Sequence, residues 1–199
     1  MESEELVAGL LAAGDLRAAA GAAVEAYGPE VLGFLVAFLG HEDDASEAFA
    51  QSCEDLWIGL PRFEGRCSIR TWFYTLSRNA ASRLRRSPSR RPAHNLPLSF
   101  ITDAAERIRS RTLPQFRTDV KDRLAAIRAA LPPDDRALLV LRVDREMSWK
   151  DIARVHAPDL SSEEELARTS ARLRKRFQQL KEEIRARARE AGLVPDEDP

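Results

Sequence analysis

Cysteine is scarce in this 199-residue chain, and long apolar runs are missing from it. The two cysteines, Cys53 and Cys67, lie too far apart for a CxxC motif, which disfavours a disulfide framework or a zinc site and favours a reducing compartment. No apolar run approaches the roughly 18 residues that a membrane span needs. The acidic N-terminus is unlike a signal peptide. These absences predict a cytoplasmic protein without a membrane span.

Catalytic motifs are missing as well. His41, His94 and His156 lie in three different segments, and the chain has neither an HExxH sequence nor a glycine-rich phosphate loop. Neither cysteine has a histidine near it in the sequence that could serve as its base. Catalytic partners often meet only in the fold, so an enzyme is disfavoured rather than excluded. The sequence predicts no enzymatic activity, no metal and no cofactor.

Charge is strongly segregated behind a net value of −1. Up to residue 60 the chain carries twelve acidic residues and a single basic one, Arg17. Residues 61–91 reverse this balance, with nine arginines and one acid, Glu64. The asymmetry predicts one acidic and one basic surface that bind different partners.

The spacing of apolar residues predicts helices throughout, and no stretch alternates with the period of a strand. Pro29 suits the first turn of a helix that Gly40 would end. The next helix, which carries most of its acids on the outer side, is expected to be capped by Asp43 or Asp44. The predicted fold class is therefore all-α.

One stretch, residues 63–86, combines four aromatic residues with six arginines: FEGRCSIRTWFYTLSRNAASRLRR. Ser68 is a candidate N-cap for a helix in this stretch. Helical spacing places four large apolar residues on its inner face, namely Ile69, Trp72, Phe73 and Leu76. Aromatic rings that stack on bases, beside guanidinium groups that bind phosphate, are typical of a single-stranded nucleic-acid site. A core helix with a basic solvent face explains the same composition, so this stretch alone leaves both interpretations open.

The composition changes after this helix. Residues 87–118 contain four prolines and few large apolar residues, which predicts a flexible linker with a short helix near 103–109. Beyond it, a capping box of Ser148 and Asp151 begins a short helix, and a longer basic helix begins near Ser162. This order outlines a helix-turn-helix, although helical hairpins with a basic solvent face are common. The predicted divisions are a helical domain over 1–86, the linker 87–118, a helix-turn-helix domain over 119–190, and an acidic tail over 191–199.

Two motif blocks resemble regions two and four of the extracytoplasmic-function (ECF) group of bacterial sigma-70 factors. The family run DAEDxxQExFLxLW is matched by Asp44, Ala45, Phe49, Leu56 and Trp57. The run FRGxSSxRTWLYxIARN is matched by Phe63, Gly65, Ser68, Arg70, Thr71, Trp72, Tyr74, Arg78, Asn79 and Ala80. LPPDDRALLVLRVDREMSWKDIARV, followed by SARLRKRFQQL, resembles region four. Together the blocks cover most of residues 27–181.

The resemblance implies a promoter-specific sigma factor, which binds core RNA polymerase, recognises and melts promoter DNA, and does no chemistry itself. The implied contacts with core polymerase are Asp44, Glu47, Gln51, Glu54 and Asp55. The implied contacts with the melted strand, one base of which would leave the stack, are Arg62, Phe63, Arg66, Ser68, Arg70, Tyr74, Arg78, Asn79, Arg83, Arg85 and Arg86. The implied contacts of the helix-turn-helix with duplex DNA are Ser148, Lys150, Arg168, Arg172, Arg174, Lys175 and Arg176. An anti-sigma factor is a further candidate partner.

The chain departs from the family pattern in two places. Ala50 and Gln51 stand where the family has Gln-Glu, and Glu47 stands where it has Asp. The turn before the presumed recognition helix is longer than in the family, and that helix begins with three glutamates at 163–165, which would repel phosphate. These departures motivate an alternative, a sigma-like protein that binds polymerase or a regulator without directing initiation.

Overall fold

The computed structural model describes residues 2–86, 99–112, 122–160, 162–190 and residue 192. Within these residues every regular element is a helix, which confirms the all-α prediction. The chain divides into two compact units, Met1–Arg117 and Thr118–Pro199. Several predictions concern residues outside those described: the linker positions 87–98 and 113–118 with their prolines, His94, and the tail at 191 and 193–199.

The described part of the first unit contains α1 (Glu2–Ala12), α2 (Leu16–Leu39), α3 (Glu42–Gly59), α4 (Ile69–Arg86) and α5 (Ser99–Thr112). A 3-10 turn, Leu60–Arg62, follows α3. The central helix is α2, which packs against each of the other four. The largest fully buried side chains include five aromatic rings, those of Phe34, Phe38, Phe49, Phe73 and Tyr74.

α2 begins at residue 16 rather than at Pro29, so its predicted start was wrong. Asp15 caps it by accepting the amide of Ala18 at 2.9 Å, and Gly40 ends it as predicted, with a φ of 81°. A proline inside a helix loses one backbone hydrogen bond and costs about 3 kcal/mol. α2 buries eleven residues, Phe34 among them. Burial of each large apolar side chain contributes roughly 1.5–3 kcal/mol. The sum over the large side chains that α2 buries outweighs the cost of the proline.

α2 is also long and apolar enough, by length and composition alone, to cross a membrane. From the sequence, no apolar run of this length is expected. The core helix of a folded bundle meets the same criteria, and half of the most apolar window of α2 is buried inside the first unit. We interpret α2 as that core helix, because a helix surrounded by others is apolar on all its faces.

α3 begins at Glu42, and His41 precedes it in an extended conformation. The prediction that Asp43 or Asp44 caps this helix was therefore wrong. Both residues lie inside its first turn, where their negative charge interacts favourably with the helix dipole. Acidic residues in the first turn and acidic caps produce the same sequence signal, which explains the error.

α5 lies inside the segment that was predicted to be a linker, and it packs against α2 and α3. Ile108 of α5 is buried directly over Gly28 of α2. A Cβ at Gly28 would lie 3.1 Å from Ile108 Cγ1, so the missing side chain allows the two helices to approach. The linker prediction was wrong for residues 99–112, whereas the short helix predicted near 103–109 falls within α5.

The described part of the second unit contains α6 (Asp122–Ala129), α7 (Pro133–Leu139), α8 (Trp149–His156) and α9 (Glu163–Glu190). A π-helical turn, Val140–Asp144, follows α7. The long α9 packs against the three shorter helices. Its inner stripe is the one that the sequence predicts, with Leu166, Leu173 and Leu180 buried and Phe177 and Ile184 partly buried.

Candidate functional site

The loop before α4, residues 63–68, is held at both ends, and we call it the α3–α4 loop. At its start the ring of Phe63 packs on the ring of Trp72, with their centroids 4.8 Å apart. At its end the hydroxyl oxygen of Ser68 accepts the amide of Thr71 at 3.0 Å, which confirms Ser68 as the N-cap of α4. The loop therefore has a defined conformation at the start of the basic helix.

Among the three consecutive aromatic residues of α4, Trp72 is the one that reaches the surface. Phe73 and Tyr74 are fully buried, and the Tyr74 ring meets Phe34 edge-on at 5.4 Å. Trp72 is half-buried beside Phe63. The prediction that Tyr74 contacts DNA was wrong, because its ring belongs to the core. Trp72, which the sequence placed in the core, instead forms a partly exposed aromatic pair with Phe63.

Most of the arginines predicted to contact the melted strand are exposed: Arg62, Arg66, Arg83, Arg85 and Arg86. Arg66 pairs with Glu64, but both side chains are mostly in solvent, so this ion pair contributes little to stability. Arg78 and Asn79 are half-buried, and the guanidinium of Arg78 lies 5.9 Å from the centroid of the Phe38 ring. The exposed arginines lie at the two ends of α4, Arg62 and Arg66 before its start and the other three in its last turn.

Arg70 faces the interior, contrary to the prediction of an outward contact with DNA. Its guanidinium donates to both carboxylate oxygens of Glu30, at 2.6 and 2.8 Å, and lies 5.8 Å from the centroid of the Tyr74 ring. The hydrogen bonds to Glu30 raise the pKa of Arg70, although its partial burial acts in the opposite direction. This bidentate pair ties α4 to α2, so Arg70 has a role within the fold.

The residues predicted to bind core polymerase lie on the side of α3 away from its core, and all are half-buried: Asp44, Glu47, Gln51, Glu54 and Asp55. Asp55 accepts a hydrogen bond from Gln51 at 3.0 Å and pairs with Arg83 of α4. This pair joins a residue predicted to bind polymerase to one predicted to bind DNA, so each charge is partly neutralised by the other. We call the other acids, Asp44, Glu47 and Glu54, the acidic face.

In the second unit, α8 and α9 are consecutive helices that pack on each other, in the order that the sequence predicts. Ser148 caps α8 as predicted, since its hydroxyl oxygen accepts the amide of Asp151 at 3.2 Å. The same hydroxyl donates its proton to the Asp151 carboxylate at 2.6 Å, which leaves it less suited to the predicted contact with DNA. α9 packs on α8 where the rings of Trp149 and Phe177 meet edge-on at 5.5 Å.

Five of the basic residues that the sequence predicts to contact duplex DNA are exposed: Lys150, Arg168, Arg172, Arg174 and Lys175. Lys150 pairs with Glu163 at 3.3 Å, and Arg168 pairs with Glu164 at 3.8 Å. The acidic run at the start of α9, which was expected to repel phosphate, is therefore partly neutralised by basic residues of its own unit. Since these pairs are exposed, phosphate can compete for the same basic groups.

Arg176, which the sequence predicts as a DNA contact, is half-buried and belongs to an ion-pair network within the second unit. Its guanidinium donates to Asp135 at 2.9 and 2.6 Å and to Glu183 at 2.7 Å. The hydrogen bond to Asp135 has the largest effect on the pKa of Arg176 and raises it, and the hydrogen bond to Glu183 raises it further. The side chain of Asp135 is only 10% exposed, whereas that of Arg176 is 36% exposed, so the pair links α7 to α9 at the edge of the core.

Replacing Arg176 by alanine is expected to destabilise the second unit by about 1.5–3 kcal/mol, because the largely buried carboxylate of Asp135 would lose its charged partner. Amide hydrogen exchange across α7 and α9 measures this loss in the full chain. Arg172→Ala is the matched control: it removes the same charge from an exposed position and should change stability by less than about 0.5 kcal/mol. Unchanged protection in Arg176→Ala, together with weaker binding to duplex DNA, would return Arg176 to the DNA surface.

Cys53 is fully buried, and burial raises the pKa of its thiol, which disfavours the reactive thiolate. In the described ranges of the chain, no group of three or more His, Cys, Asp or Glu side chains could hold a metal ion.

Residues 23–91 match the family model of sigma-70 region 2. The matched stretch begins inside α2 and extends beyond α4, so it contains both the acidic face and the α3–α4 loop. It covers about a third of the chain and does not reach the second unit. No curated protein matches the chain. Over this stretch the chain is similar to sigma-70 region 2.

Proposed function

We propose that this chain is a promoter-specific sigma factor of the ECF group, which binds core RNA polymerase in the cytoplasm and directs transcription initiation. The observation that carries the proposal is the match to sigma-70 region 2 over residues 23–91. In that stretch the first unit holds an acidic face on α3 beside an aromatic and basic loop before α4. Two surfaces of opposite charge in one small domain suit two partners, a basic protein surface and a nucleic acid.

The acidic face is the proposed surface for core polymerase. A cluster of carboxylates accelerates association with a basic partner and helps to orient it. Asp55 lies on the same side of α3, where its carboxylate pairs with Arg83. The half-buried state of these side chains supports a fixed geometry, which favours specific over diffuse attraction.

The α3–α4 loop is the proposed site for the melted strand. The pair of Phe63 and Trp72 offers an aromatic surface on which a base can stack, and such stacking contributes roughly 1–3 kcal/mol per base. Arg62 directly precedes Phe63, Arg66 lies within the loop, and both are exposed. Three more arginines lie in the last turn of α4. Together they supply the stacking and phosphate contacts that a single strand requires.

The second unit is proposed to be a region 4-like domain that reads duplex DNA, with α9 as the recognition helix. Support comes from the order of the motifs and from the packing of α9 on α8 through Trp149 and Phe177. Arg172 and Lys175 are exposed beyond the acidic start of α9, where they can reach phosphates or guanine edges. An anti-sigma factor that covers either unit is a further proposed partner.

Replacing Asp44 by lysine is expected to weaken binding to core polymerase by about tenfold at low salt, because a charge at the rim of an interface mainly controls the association rate. The difference should shrink at high salt, where exposed charges are screened. Equilibrium binding of the labelled full chain to core polymerase, measured at two salt concentrations, checks this. Asp43→Lys is the matched control, since it makes the same charge change at the neighbouring exposed position. An equal loss in both variants would mean that net charge, not the acidic face, determines binding.

Reconstituted transcription tests the function itself. Core polymerase from the same organism is combined with the chain on genomic fragments, and the transcription start sites are mapped. They are compared with the start sites that core polymerase gives without the chain. The proposal predicts a defined set of start sites that require the chain. Stable binding to core polymerase without any initiation would instead favour a sigma-like protein that regulates polymerase without directing it.

A further inference from the structure

A carboxylate of α1 reaches across the first unit to the first residue of α4. One oxygen of Glu4, Oε1, accepts the backbone amide of Ile69 at 2.6 Å. Its other oxygen, Oε2, accepts the hydroxyl of Tyr27 at 2.9 Å. Ile69 directly follows the α3–α4 loop, so a residue 65 positions earlier in the chain holds the point where the loop enters the helix.

Glu4 and Ser68 share the capping of α4. The first amides of a helix have no partner within the helix, and here Glu4 takes that of Ile69 while Ser68 takes that of Thr71. A carboxylate at this end also interacts favourably with the helix dipole. Burial and the hydrogen bond to Glu4 raise the pKa of Tyr27, which keeps its hydroxyl protonated as the donor that orients the carboxylate.

Neither the docking of α1 nor that of α4 depends on this contact alone. α1 packs on α2, and its Val7 is fully buried. α4 is tied to α2 by the bidentate pair of Arg70 and Glu30 and by its own buried face. The hydrogen bond from Ile69 to Glu4 therefore acts mainly on the exit direction of the α3–α4 loop.

We propose that Glu4 is a positioning residue for melted-strand binding, which it serves by fixing the end of the α3–α4 loop. The inference rests on the proposed function of that loop. A loop that is fixed before it binds has less conformational entropy to lose on binding, so its affinity for the strand is higher. Glu4 acts through the Ile69 amide and makes no contact with DNA itself.

The test uses the full chain bound to core polymerase and a fluorescent single-stranded DNA with the non-template sequence of a mapped promoter. Glu4→Ala is expected to weaken strand binding about fivefold, because a loop whose end is no longer fixed must be ordered on binding. Core affinity should stay close to that of the wild type, and the unfolding midpoint should fall by no more than the roughly 4–8 °C that the loss of one helix cap causes. Tyr27→Phe, which removes only the hydroxyl that orients the carboxylate, should produce a smaller loss of about twofold.

Two controls separate positioning from charge. Glu4→Gln should restore strand binding, because the amide oxygen can accept from Ile69 while the amide nitrogen donates to the Tyr27 oxygen. Glu5→Ala removes the same charge from an exposed neighbouring position on α1 and should have no effect.

Three results would overturn the inference: wild-type strand binding in Glu4→Ala, an equal loss in Glu5→Ala, or parallel losses of strand binding, core affinity and stability. Each of these results is compared with a wild-type complex that does bind the strand, so none of them contradicts the proposed function. A wild-type complex that binds no promoter strand would overturn the proposed function and the inference together.

Discussion

Replacing Tyr74 by alanine is expected to destabilise the first unit by about 3–5 kcal/mol, because a fully buried aromatic side chain leaves a large cavity when it is removed. The ring has no exposed surface and meets Phe34 edge-on at 5.4 Å. A domain has only about 5–15 kcal/mol of stability in total, so much of the first unit should be unfolded near physiological temperature. Thermal unfolding of the full chain, monitored by the circular dichroism signal of its helices, measures the effect.

Two neighbouring substitutions serve as controls for this experiment. Tyr74→Phe keeps the ring in place and should retain most of the stability. Trp72→Ala removes a half-buried ring and should spare the fold more than Tyr74→Ala, while it weakens binding to the melted strand. If Tyr74→Ala unfolds like the wild type but has lost strand binding, the ring lies on the DNA surface and the described core is wrong.

Replacing Arg172 and Lys175 together by alanine is expected to weaken duplex binding by tenfold or more at low salt, since roughly two phosphate contacts would be lost. The slope of the logarithm of affinity against that of salt concentration should decrease by about one unit per lost contact. The measurement is a salt titration of the complex with core polymerase on promoter DNA. Binding should be affected to a similar extent at all sequences if these residues contact phosphates, and more strongly at one position if they read guanine.

The matched control is the double variant Arg185→Ala and Arg187→Ala. It removes two exposed positive charges from the same helix, nearer its C-terminal end. If both double variants flatten the salt dependence equally, the helix attracts DNA only through its total charge. If the salt dependence of the double variant Arg172→Ala and Lys175→Ala has the same slope as that of the wild type, this part of α9 does not face DNA.

The sequence predicted the helices better than it predicted their buried faces, and α4 shows why. Its large apolar residues suggested that Trp72 and Leu76 face the core, but the buried face is displaced towards Tyr74, Ser77 and Ala81. Small residues allow neighbouring helices to approach closely, and Ser77 is tolerated there because its hydroxyl donates to the Phe73 carbonyl at 2.7 Å. Hydrophobic periodicity gives weight to large side chains, so it misses a face that is built from small ones.

Internal ion pairs account for most of the other differences. Three arginines predicted to contact DNA pair with acids 28 to 41 positions away: Arg70 with Glu30, Arg83 with Asp55, and Arg176 with Asp135. When no acidic residue lies one helical turn away from an arginine, the sequence alone predicts that the arginine faces solvent or DNA. Contacts between helices that are distant in the sequence depend on how the bundle packs, which a single sequence does not reveal.

The N-terminal contact of Glu4 was missed for the same reason. The acidic N-terminus was interpreted only as evidence against a signal peptide, whereas one of its carboxylates caps a helix 65 positions later. Ser68 was found because its signal is local, a hydroxyl three residues before the amide that it accepts. Caps within the same turn can be predicted from sequence, and caps supplied by another helix cannot.

Promoter opening tests the central claim most directly. On a promoter mapped by reconstituted transcription, permanganate reacts with thymines that have left the double helix. The account predicts that thymines near the start site become reactive only when core polymerase and this chain are both present. Thymines that remain unreactive while the chain saturates core polymerase on that DNA would contradict it.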